Sequence, residues 1–78
     1  MSLKNFKIIA KDSESTTYRK ISGDNEIFTI KLVRYKTDSY KAHAYEAPEI
    51  INNNIVRNLI WTKNFKSEKQ FTEFINKI

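Results

Sequence analysis

Apolar and polar residues alternate almost one by one along most of this chain, and the period lengthens only near its end. From Glu26 to Lys36, Phe28, Ile30 and Leu32 fall on one face, while Thr29, Lys31 and Tyr35 fall on the other beside Ile27 and Val33. A period of two is the mark of a strand with one buried face, and this segment shows it best. Asn5–Lys11 predicts a first strand with Phe6, Ile8 and Ala10 on one side, and Tyr18–Ile21 predicts a second. In Ser39–Glu46, Tyr40, Ala42, Ala44 and Glu46 point one way and Lys41, His43 and Tyr45 the other. Val56–Phe65 predicts a last strand, rich in apolar residues.

Two breaks punctuate these strands. Ser22–Glu26 (SGDNE) reads as a hairpin turn, because Gly23 and Asn25 accept positive φ. Glu46–Asn54 (EAPEIINNN) reads as an irregular connection, with Pro48 ending a strand and the asparagine run disfavouring regular structure. Lys11–Thr17 (KDSESTT) reads as a polar loop without a glycine-rich anion cradle.

At the C-terminal end the pattern changes. Ser67 and Gln70 have capping-box spacing, in which the hydroxyl accepts from an orphan helix N–H and the amide reaches back. Phe71, Phe74, Ile75 and Ile78 then recur at helical spacing. A helix of about eleven residues is marginal alone and needs a sheet to pack on. The expected fold is therefore α+β: an antiparallel β-meander of four to five strands with one C-terminal amphipathic helix packed on one face, spanning 1–78 as a single compact domain. One helix covers one face. The other is left for solvent or a partner.

Composition sharpens this picture in a few places. Seventy-eight residues with no cysteine leave stability to the core, which five Phe, four Tyr and one Trp make feasible. The absence of cysteine suits a reducing compartment, and no window approaches the roughly 20 apolar residues of a membrane span. The N-terminal segment has neither the long apolar run nor the small-residue cleavage site of a secretory leader, so a cytoplasmic location is expected and a membrane partner is not. Fourteen Lys and Arg against nine Asp and Glu give a net charge of +5. Residues 1–36 hold eight basic and four acidic side chains, so most of the excess sits there. Such a balance attracts phosphate backbones, although only three of the cations are arginine, the residue suited to bidentate phosphate and base contacts.

The chemistry-bearing residues converge on the uncovered face. Lys41, His43 and Tyr45 join Lys31 and Tyr35 there, and cations interleaved with aromatic rings suit a single nucleic-acid strand. The same residues also make ordinary cross-strand pairs on a solvated face. His43 with Glu46, Arg34 or Arg57 would form a ribonuclease-like set, but strand parity separates His43 from Glu46 and no motif fixes the rest. One histidine without cysteines or a carboxylate cluster offers too few metal ligands. No Walker sequence, dinucleotide fingerprint, nucleophile elbow, HExxH or EF-hand loop occurs, so neither an enzyme nor a cofactor is expected.

Trp61 admits two parities. If Leu59, Trp61 and Phe65 face the helix they are core, which buries more apolar area and is preferred. If Val56 and Ile60 do so instead, Leu59, Trp61 and Lys63 extend the open face. The expected function is that of a small non-catalytic nucleic-acid-binding or regulatory accessory protein. The alternative is a protein–protein interaction module, a small inhibitor or adaptor of the kind mobile elements encode, using the same face or an edge strand; the partners to consider are nucleic acid, another protein or a second copy of the chain.

Overall fold

The computed structural model describes residues 3–21 and 26–78. Five strands form one antiparallel sheet in the order β1-β2-β3-β4-β7: β1 (Phe6–Lys11), β2 (Ser15–Lys20), β3 (Thr29–Lys36), β4 (Ser39–Tyr45) and β7 (Leu59–Phe65). Between β4 and β7 the chain makes a separate two-stranded hairpin, β5 (Glu49–Ile51) and β6 (Asn54–Val56). One helix, α1 (Glu68–Ile75), closes the chain. This is the α+β arrangement the alternation predicts, with five strands in the main sheet. The expected turn at Ser22–Glu26 falls largely on residues outside those described.

The core is built by parity. Tyr18 pairs with Ile30, Ile30 with Ala44, and Ala44 with Trp61, so one row of side chains crosses the sheet toward α1. Leu32 and Ala42 make the next row, and Tyr40 with Phe65 the one after. Ala42, Ala44, Phe71 and Ile75 have no exposed surface at all. Short alanines in the middle strand leave room for helix side chains to descend onto the sheet. Phe71 fills that room, its ring 5.1 Å from Tyr18 and 5.4 Å from Phe65. Phe74 extends the aromatic layer, 5.4 Å from Phe65 and edge-on to Trp61 at 5.6 Å. Trp61 thus takes the core parity. Such tilted and edge-on pairs add about 0.5–1.5 kcal/mol each beyond area burial.

Ser67 caps α1: its Oγ accepts from the Gln70 N–H at 3.1 Å. The Gln70 Oε1 reaches back one residue further than the standard box, accepting from the Lys66 N–H at 2.8 Å. At the other end, Lys20 Nζ and Asn5 Nδ2 both donate to the Ile78 carbonyl at 3.1 Å, fastening the segment after the helix to β1 and β2.

Several expectations are corrected, and most share one cause. Three β-bulges interrupt the period of two, each inserting an unpaired residue: Ile9 in β1, Tyr35 in β3 and Ile60 in β7. A bulge reverses the parity of the residues beyond it. Ala10 therefore pairs with Thr17 on the face away from α1, instead of joining Phe6 and Ile8. Leu59 likewise pairs with Tyr45 and is exposed, instead of joining Trp61 and Phe65 in the core. The second strand begins at Ser15, earlier than its apolar pattern suggests, because Ser15, Thr16 and Thr17 pair with β3 as β-favouring hydroxyl residues do.

The largest correction is Glu46–Asn54. Asn52 and Asn53 both take positive φ, 51° and 66°, as the two central residues of a type I′ hairpin turn require. The asparagines do not disrupt structure here; they form the turn. Pro48 does not end a strand: β4 stops at Tyr45, and Pro48 immediately precedes β5.

Truncating Phe71 to alanine should cost about 3–5 kcal/mol, a large part of the stability of a domain this size. Ile50→Ala, on the separate hairpin, should change stability by less than about 0.5 kcal/mol. Urea unfolding of the two variants tests the assignment; equal effects would contradict it.

Candidate functional site

The face away from α1 is built from the alternate residues of the same strands. Strand register places its side chains in rows, with neighbouring strands about 4.8 Å apart. One row runs Thr17, Lys31, His43, Thr62 across β2, β3, β4 and β7. A second runs Ser15, Val33, Lys41, Asn64, and a third Lys7, Arg19, Thr29, Tyr45. Lys36 pairs with Ser39 at the end of the sheet.

Four of the five residues expected on this face, Lys31, Lys41, His43 and Tyr45, therefore share it. Lys31 and His43 are direct cross-strand partners. Tyr35 sits on the β3 bulge, exposed, and the Lys41 ammonium lies 5.8 Å from its ring centre. A cation near a ring face at that distance is held by the ring quadrupole. His43 Nδ1 and Thr62 Oγ1 share a hydrogen bond of 3.1 Å. Glu46 instead accepts from Asn58 Nδ2 at 3.3 Å, so the histidine and this carboxylate have different partners. Among the described residues, no three His, Cys, Asp or Glu side chains gather in a metal-binding cluster.

Sequence patterning alone does not assemble the rows. Arg19 and Lys7 reach this face because Tyr18 and Phe6 face the core, which their own strands imply. Thr62 and Asn64 come alongside His43 and Lys41 only through the β4–β7 register. Beside them, an open depression of about 640 Å³ lies where the β3–β4 turn meets the start of α1, lined by Tyr35, Lys41, Asn64, Lys66 and Gln70 among others. It continues the face past the end of the sheet.

Charge is segregated by element. The five strands of the main sheet carry Lys7 and Lys11, Arg19 and Lys20, Lys31, Arg34 and Lys36, Lys41, and Lys63, and not one Asp or Glu. Among the described residues, every acidic side chain belongs to a connection, the β5–β6 hairpin or α1. Some of the cations serve the core: Lys20 Nζ lies 4.9 Å from the Phe6 ring centre and Lys63 Nζ 4.4 Å from that of Phe74. Arg19 stacks on Phe28 at 4.7 Å. Lys31 and Lys41 project from the middle of the open face. No carboxylate of the sheet answers their field; from the connections, Asp12 lies within electrostatic reach of Lys31 and Asp38 lines the depression beside Lys41.

The β1–β2 turn supplies its own anion. Asp12 Oδ1 accepts from the N–H groups of Glu14 and Ser15, both at 2.8 Å, and Oδ2 accepts from Ser15 Oγ at 3.2 Å. These bonds favour the ionised carboxyl and hold its pKa below the usual aspartate value, the Glu14 amide contributing most. The amides that an external phosphate would need are already taken. Burial beside α1, reinforced by Glu68, pushes the Tyr18 hydroxyl pKa up, so that phenol stays neutral.

Compared with protein-family models, curated proteins and solved structures, the chain has no significant match to any of them. Among the described residues, no helix is long and apolar enough to cross a membrane.

Because the native pKa of Asp12 is depressed, its contribution is complete above the unfolded aspartate pKa and is lost as pH falls through the native value. The urea midpoint of Asp12→Ala should therefore lie below that of the parent at neutral pH, and the gap should close on acidification below about pH 4. A gap that widened toward acid would contradict the assigned bonds.

Proposed function

We propose that this chain is a non-catalytic nucleic-acid-binding protein that holds a single strand across the open face of its sheet. The observation that carries the reading is the charge segregation: nine cations and no carboxylate on the five paired strands, with Lys7, Arg19, Lys31 and Lys41 in the three rows of the open face. Cations gathered on one rigid sheet, with acidic groups kept to its margins, form an attractive field for a phosphate backbone. The reading also draws on the placement of Tyr45, His43 and Tyr35 among Lys31 and Lys41, since rings between cations allow bases to stack while phosphates meet ammonium groups. The flat face suits an unpaired strand, whose bases are splayed and accessible, better than a duplex groove.

No chemistry is asked of the site. His43 is engaged with Thr62, Lys31 stands directly across from it, and the Glu46 carboxylate bonds Asn58 instead. Binding would serve to protect, position or regulate the strand, and a cysteine-free chain of this kind fits the cytoplasm.

Fluorescence anisotropy with labelled oligo-dT and oligo-U should give micromolar or tighter binding at low salt, with the logarithm of affinity falling linearly as salt rises. Lys31→Ala and Lys41→Ala should each reduce the salt slope by about 0.7. Tyr45→Ala should cost about 1–3 kcal/mol through lost stacking, whereas Lys69→Ala on α1 should have little effect. Absence of binding at low salt would overturn the proposal. So would oligonucleotide cleavage that His43→Ala abolishes.

A further inference from the structure

The β5–β6 hairpin pairs with no strand of the main sheet, yet it is the most apolar exposed element among the described residues. Ile50 and Ile55 stand directly opposite each other on one of its faces, 77% and 72% exposed, and Ile51 is half exposed on the other. Three solvent-facing isoleucines on so short a hairpin are poorly explained by the fold of the single chain, because they add nothing to the core. The segment is also acidic against the grain of the protein: Glu46 and Glu49 lie at its start, and no Lys or Arg occurs between Lys41 and Arg57.

A surface with the complementary properties lies at the far edge of the sheet. β1 is an edge strand, and its bulge leaves Ile8 and Ile9 about half exposed each, between Lys7 and Lys11. Bulges and lysines on an edge discourage two such edges from pairing with each other. The same lysines attract an acidic, isoleucine-bearing arm. We propose that the β5–β6 hairpin lies alongside the β1 edge of a second copy of this chain, with Ile50 beside Ile8 on one face and Glu49 beside Lys7 on the other. The arm joins β4 to β7, the edge strand opposite β1, and pairs with no strand of its own sheet. Two copies related by a two-fold axis would each lend an arm to the other, making the contact twice and closing the assembly. This contact shares Lys7 with a row of the open face but uses none of Lys31, Lys41, His43 and Tyr45, and sedimentation without nucleic acid tests it apart from that binding.

Sedimentation equilibrium on the full chain, without nucleic acid, tests the contact. The parent should form a reversible dimer. The double change Ile50→Asn, Ile55→Asn should weaken it by about tenfold or more through lost apolar burial, with the thermal unfolding of the sheet unchanged. Glu49→Lys and Lys7→Glu should each weaken it by roughly threefold to tenfold, and the two together in one chain should restore affinity to within about twofold of the parent. A monomer at every concentration would overturn the proposal, as would a dimer indifferent to the isoleucine changes. A dimer lost with Glu49→Lys and not recovered by Lys7→Glu would show the arm meeting another surface, and would overturn it equally.

Discussion

The contact on which this structure depends is the descent of Phe71 onto a strand that has been emptied to receive it. Ala42 and Ala44 are short where most core positions of the sheet are long, and Phe71 occupies the space between Tyr18 and Phe65 that they leave. A helix of eight residues has little stability of its own, so without this seat α1 would not persist. A chain without disulfides has no other means of closing its core. The termini are drawn in by the same contact: Lys20 and Asn5 hold the Ile78 carbonyl only because the helix brings it over β1 and β2.

Seating the helix on one face fixes the use of the other. In β4 the residue between the two alanines is His43, and its neighbours in alternation are Lys41 and Tyr45, so burial of the alanines forces all three outward. The same alternation in β3 turns Lys31 outward as Ile30 and Leu32 turn in. The open face is thus a consequence of core packing and not a separate design. What packing does not explain is its charge. Solvated strands tolerate glutamate about as readily as lysine, and alternating signs would relieve repulsion between neighbours. A sheet that carries cations alone forgoes that relief, and the described acidic residues that could supply it are confined to connections, arm and helix. An anionic ligand laid over the face would supply it instead.

Much of this is legible in the residues. The period of two gives β3 and β4 and the faces of their paired residues, although ahead of β3 it is Ile27 that packs on the core while Phe28 lies under Arg19. The Ser67–Gln70 spacing gives the helix start, because each signal is local and set by one element's own burial. The departures also share a physical origin. Bulges at Ile9 and Ile60 shift parity by one residue, and a bulge leaves no mark on an apolar–polar pattern; Ala10 and Leu59 lie on the faces opposite to those their spacing predicts for that reason. The Tyr35 bulge has a smaller consequence, because that residue remains close to Lys41. The rows that unite Lys31 with His43 and Thr62 depend on register between strands, with His43 and Thr62 separated by 19 residues, and no single strand encodes it.

The β5–β6 hairpin shows how one residue type carries opposite meanings. Asparagine is depleted from strands, and three in succession argue against one. Yet asparagine is also, after glycine, the residue that best accepts positive φ, and two central residues in that region are what turns a hairpin back on itself with the twist its strands need. Asn52 and Asn53 supply both, and Asn54 then pairs with Ile51 as the first residue of β6. Once the turn is recognised, the flanking isoleucines change meaning as well. In an irregular connection they would be scattered apolar residues; on a hairpin, Ile50 and Ile55 become a cross-strand pair that exposes a continuous apolar surface. Helix packing leaves the face of the sheet open, whereas the arm is a structured element outside the core. Its exposure therefore calls for an explanation in terms of what it meets, and the oppositely charged, isoleucine-bearing edge of β1 offers one.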